Sequence, residues 1–145
     1  MTGCDDDMPA RVLGDFEGRW RMARRIVQGD GSRAELTGEA VWRRVDEGLL
    51  CEEAGLLCVG GQPPLEARRR YLWRDDLTVW FDDGRFFHSV PAQGGACAHW
   101  CAPDQYDGHY DFGRWPQWRC IWQVRGPRKD YRMVTEYSRI GPPEA

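Results

Sequence analysis

A chain of 145 residues suits one domain, since a fold of that size buries roughly 70% of the surface its unfolded chain exposes. Its formal net charge of −3 excludes the basic balance of a nucleic-acid footprint, and no stretch approaches the roughly 18 apolar residues of a membrane span. Eight Trp, five Tyr and five Phe supply very large side chains, whose polar tips need partners when buried.

In chain order, Met1 to Met8 is acidic and has neither the basic n-region nor the apolar h-region of a signal peptide, so a cytoplasmic location is expected. Residues 1–14 read as a loose leader and 141–145 as a tail of a single domain spanning 1–145, with no linker or repeat between them. From Phe16 to Val27 one parity holds Phe16, Gly18, Trp20, Met22, Arg24 and Ile26, and the other is dominated by charge. That alternation predicts a half-buried strand. The turn Gly29-Asp30-Gly31-Ser32 leads into a second run, Arg33 to Val45, which makes a hairpin the simplest connection.

Further runs cover Leu49 to Val59, Leu65 to Arg74, Leu77 to Asp82, Arg85 to Val90, Gln105 to Phe112, Trp118 to Arg125 and Lys129 to Ile140. Gly60-Gly61-Gln62-Pro63-Pro64, Asp82-Asp83-Gly84 and Gly113-Arg114-Trp115-Pro116 punctuate them. Some nine or ten short strands with almost no helical period predict an all-β fold, a single antiparallel up-and-down barrel that closes to abolish its edges. A two-sheet sandwich is the alternative. The barrel is preferred because the apolar parities mix bulky residues with cations and hydroxyls, which suits a lined cavity.

Gly18-Arg19-Trp20 on the first strand, with a basic residue from the last, resembles the calycin superfamily of lipocalins and fatty-acid-binding proteins. The resemblance implies an Arg packed across Trp20 at the barrel base, with Arg128, Arg132 and Arg139 as the candidates. From Phe16 to Arg139 the chain is similar to an uncharacterised family of small lipocalin-like proteins of unknown function. The similarity runs through Phe16-Glu17-Gly18-Arg19-Trp20, Arg70-Tyr71-Leu72-Trp73, Asp83-Gly84-Arg85-Phe86-Phe87-His88, His99-x-Cys101-x-x-Asp104-x-Tyr106 and Gly126-Pro127-Arg128-Lys129-Asp130-Tyr131. It implies a fold and no activity. Nor does it imply haem, because the haem-binding calycins use a late axial His and no His follows His109.

Polar residues on inward parity carry the functional expectations. Arg24 lies between Met22 and Ile26, and Arg69 between Ala67 and Tyr71. An inward charge costs several kcal/mol to desolvate unless paired or wetted. Either Arg24 and Arg69 bind a ligand carboxylate or phosphate, or Arg24 pairs with Glu53 or stacks on Trp20 while Arg69 snorkels to a mouth. Tyr71, Tyr106, Tyr110 and Tyr131 would add hydroxyl donors, with Trp73 and Trp122 as aromatic lining.

His88, His99, Asp104 and Tyr106 form a second constellation, which could serve acid–base chemistry if they converge. Cys97-x-His99-x-Cys101 offers soft ligands but lacks the Cys-x-x-Cys pairs of a zinc site, so no metal and no other cofactor is expected. Lys129 sits beside Arg128 and Asp130, which speaks against the dry site a Schiff-base lysine needs. All six cysteines are expected as reduced thiols. The reading is a barrel that binds a small hydrophobic or amphiphilic, anionic molecule, with no nucleic-acid or membrane partner and a homodimer as an option. Two rivals are a lyase, isomerase or decarboxylase using the same cavity, and an interaction module with a filled barrel.

Overall fold

The computed structural model describes residues 8–141. A 3-10 turn, Leu13–Phe16, precedes ten strands: β1 Gly18–Gln28, β2 Arg33–Val45, β3 Gly48–Val59, β4 Leu65–Trp73, β5 Thr78–Phe81, β6 Phe86–Ser89, β7 Gly95–Cys101, β8 Asp104–Arg114, β9 Gln117–Arg125 and β10 Asp130–Gly141. They form one antiparallel sheet in the order β6-β5-β4-β3-β2-β1-β10-β9-β8-β7. The first strand pairs with the last, Trp20 facing Arg139 and Arg24 facing Thr135. The sheet therefore curls into a nearly closed barrel. Its free edges, β6 and β7, approach through side chains, with the Phe87 and His99 rings 5.3 Å apart.

Alternation puts Trp20, Met22 and Arg24 of β1 inside, with Leu36, Ala40 and Trp42 of β2 and Trp118, Cys120, Trp122 and Val124 of β9. At one end these side chains meet the 3-10 turn. Phe16 and Trp20 are fully buried there, and Trp20 Nε1 donates to the Phe16 carbonyl at 2.9 Å. Arg139 closes that end. Its guanidinium lies 4.1 Å from the Trp20 ring centroid and donates to the carbonyls of Glu17 at 2.9 Å and Asp15 at 2.6 Å. Of the three basic residues the resemblance left open, Arg139 holds this place.

Three expectations change. The segment Gly95–Cys101, not among the runs expected as strands, is a strand, β7; its small residues Gly95, Ala96, Cys97 and Ala98 hide the alternation that bulkier neighbours would show. Phe16 belongs to the 3-10 turn and not to β1. Of the stretch expected as a loose leader, the described part, residues 8–14, packs on the barrel, with Leu13 in the core and Met8 against it. Its backbone joins the barrel through Arg11 N donating to the Ala92 carbonyl at 2.7 Å. Apart from Gly141, which ends β10, the expected tail lies outside the described residues. Cys51, Cys58, Cys97, Cys101 and Cys120 are free thiols, and Cys4 lies outside the described residues.

Candidate functional site: an aromatic cavity with a cationic mouth

The barrel is hollow, which counts against the filled-barrel alternative. Its interior holds a cavity of about 320 Å³, at the lower end of the range for small-molecule sites. Every residue expected to bind ligand lines it: Arg24, Arg69, Tyr71, Trp73, Tyr106, Tyr110, Trp122 and Tyr131. Sequence reasoning had reached these through strand parity. It missed Trp42, Phe81, Phe87 and Tyr137 as lining, although the same parity, continued along β2, β5 and β10, points to three of them. Phe87 was obscured by the register shift between β5 and β6 next to Trp80.

Arg24 does not offer a free charge. Its Nη2 donates to both Glu53 oxygens at 3.0 Å, its Nε donates to Thr135 Oγ1 at 2.7 Å, and Tyr137 Oη donates to Glu53 Oε2 at 2.9 Å. Burial is the largest single influence and pulls against the guanidinium charge, but the charge and hydrogen bond of Glu53, together with Tyr137 and Tyr71, overcome it and the Arg24 pKa is raised. Of the alternatives open for Arg24, the pair with Glu53 holds and the Arg24 half of a two-Arg ligand clamp does not: Glu53 neutralises Arg24, which makes it wall structure.

Arg69 stands opposite Glu53 in the β3–β4 register, yet no ion pair among the described residues engages it, and its Nη1 reaches Tyr71 Oη at 3.5 Å. It is exposed while still lining the cavity, the arrangement of a cation at a mouth. Lys129 joins it. Its Nζ lies 3.1 Å from Asp104 Oδ2 and donates to Tyr106 Oη at 3.0 Å. Those two hydrogen bonds, Tyr106 first, raise its pKa and keep it charged. Gly126, in the turn that presents Lys129, leaves the space that the Asp104 carboxylate occupies. Burial holds the Tyr71 and Tyr131 hydroxyls above the ordinary phenol range, so both remain donors at neutral pH.

Deeper in, His88 Nε2 and Tyr110 Oη are 2.8 Å apart. Burial, with His99 as a lesser cause, pushes His88 down to about 3, so it is neutral at physiological pH. His88 Nδ1, Trp42 Nε1 and Trp118 Nε1 are buried without a hydrogen-bond partner, and all three side chains border the cavity. Such atoms call for an acceptor or donor from elsewhere, because a buried unmet polar group costs about 1–3 kcal/mol.

The catalytic constellation does not assemble. His88 and Tyr106 line the cavity, whereas His99 and Asp104 are not among its lining residues. Asp104 binds Lys129, and orients neither histidine. Cys97 is pushed up to about 12 by burial, far from a reactive thiolate. Among the described residues no three His, Cys, Asp or Glu side chains are grouped to hold a metal ion.

A family model described as "Family of unknown function (DUF6314)" matches residues 16–139. No protein of curated function matches the chain in sequence. Among solved structures, the S-type phycobiliprotein lyase CPES from Guillardia theta is similar over 89% of this chain and 90% of its own, with a TM-score of 0.59 and 7% sequence identity. At that identity the likeness is one of fold, and it agrees with the calycin-like barrel.

Proposed function

The chain belongs to a family of unknown function, DUF6314, and we propose that its barrel binds a small amphiphilic anion, apolar body inward and charged group at the mouth. One observation carries this reading. The cavity is walled by aromatic rings, its buried carboxylate Glu53 is already neutralised by Arg24, and the mouth adds Arg69, which no ion pair among the described residues engages, beside Lys129 in its pair with Asp104. A carboxylate there would receive charge-assisted hydrogen bonds from both cations and from the Tyr71 and Tyr131 hydroxyls.

Titration with decanoate and decanol, followed by tryptophan fluorescence or calorimetry, tests the proposal. Arg69→Met is expected to weaken decanoate by about 1.5–3 kcal/mol, the scale of a hydrogen bond to a charged group, and decanol much less. Equal losses for acid and alcohol overturn it.

The name of the structural neighbour supports a second reading, lyase chemistry on a bound molecule. Here the neutral His88 hydrogen-bonded to Tyr110 at 2.8 Å is the proton-transfer couple that the cavity offers. Native mass spectrometry over time decides it. A bound compound that changes mass with the wild type but not with His88→Gln supports turnover, and an unchanged mass with both rejects it.

A further inference from the structure

The character of the cavity wall narrows the ligand further, on the premise that the interior binds a small anion. Val79 and Met133 are its aliphatic side chains, and aromatic rings make up most of the rest. These rings form two files. Phe81 and Phe87 stack at 4.5 Å and 16°, and Phe87 stacks on Trp122 at 5.2 Å and 21°. In the second file, Trp118 stacks on Tyr137 at 4.1 Å and 19°, with Tyr110 continuing at 6.2 Å and 20°.

A greasy pocket for alkyl chains needs only apolar area, which Leu, Ile and Val supply without orientation. Parallel rings supply orientation as well. A flat π-system that continues a file gains stacking beyond its area burial and loses no rotors on entry, whereas a flexible chain of the same area must freeze several torsions. The buried unpartnered nitrogens of Trp42, Trp118 and His88 point the same way, because conjugated systems commonly carry carbonyl or ring-heteroatom acceptors at their edges and alkyl chains do not.

We propose that the molecule bound inside the barrel is a flat, conjugated carboxylate whose ring system continues the Phe81–Phe87–Trp122 file at its Trp122 end while its carboxylate meets Arg69 and Lys129 at the mouth.

The test compares naphthalene-2-carboxylate, its saturated analogue decahydronaphthalene-2-carboxylate, and the neutral naphthalene-2-carboxamide, by calorimetry and by induced circular dichroism of the naphthalene band. The expected result is about two- to tenfold tighter binding of the aromatic acid than of the saturated acid, with an induced signal on binding. Trp122→Leu keeps an apolar side chain and removes the ring that ends the file, so it should bring the ratio of the two acids close to one. Trp122→Met provides the same readout should the first variant not fold. Equal affinities of the two acids for the wild type overturn the ring proposal and leave the anion reading standing. A carboxamide that binds as tightly as the aromatic acid overturns the anion reading instead, and with it the carboxylate half of the proposal. Failure of all three probes to bind at millimolar concentration overturns both.

Discussion

Arg24 is a charge inside a barrel, held there by partners and not by solvent. Glu53 accepts from it, Thr135 accepts from its Nε, and Tyr137 occupies a remaining lone pair of the carboxylate. A buried pair of this kind is weak evidence for net stability, because desolvation can exceed the Coulombic gain, but removing one partner strands the other. Glu53→Gln is therefore expected to destabilise the protein by about 3–5 kcal/mol in chemical denaturation. The double variant Arg24→Met with Glu53→Leu should recover most of that loss. A single substitution costing under about 1 kcal/mol would show that Arg24 finds other compensation. The inward parity of Arg24 was legible in the sequence, and so was Glu53 as one possible partner. What parity could not decide was whether its charge remained free, since that depends on where β3 lies across the barrel.

At the level of elements, most strands were legible because one face of each is wet and the other dry, which writes a period of two into the sequence. β7 was not, because an edge strand of small, half-exposed residues carries no such contrast. The base of the barrel shows the converse. Gly-x-Trp marked the first strand, but three basic residues competed for the place over Trp20, and the β1–β10 register selects Arg139 by setting it opposite that ring. Arg139→Ala removes a cation–π contact and two charge-assisted bonds to the carbonyls that end the 3-10 turn. Because the side chain is exposed, a destabilisation of about 1–2 kcal/mol is expected. Trp20→Ala, a large truncation in the core, should cost about 3–5 kcal/mol. Arg139→Lys should restore less than half of the alanine loss, since an ammonium cannot reproduce the planar fork. Full recovery with Lys would reduce the contact to simple charge.

Seen as a whole molecule, stability should depend on pH through the closed interior. His88 is held at about 3 in the folded barrel, against about 6.5 when unfolded. Below about 6.5 the unfolded chain takes up a proton that the native protein refuses, so stability is complete above that value and falls as the pH drops toward 3. The expected slope from this group approaches about 1.4 kcal/mol per pH unit. Denaturation midpoints between pH 7 and 4 check it, with His88→Gln expected to flatten the dependence. An unchanged slope in that variant would mean that His88 protonates in place.

By itself the sequence determined the class of fold, the inward residues of most strands, and the list of side chains that could meet a ligand. These follow from local rules, alternation and turn chemistry, which act over a few residues. The tertiary structure decided which of those side chains are spent and which are free. Glu53 from β3 silences Arg24 of β1, and Asp104 of β8 pairs with Lys129 ahead of β10. Each of these contacts joins side chains from segments that do not pair with one another in the sheet, and the strength of a charge is set by its neighbours in space.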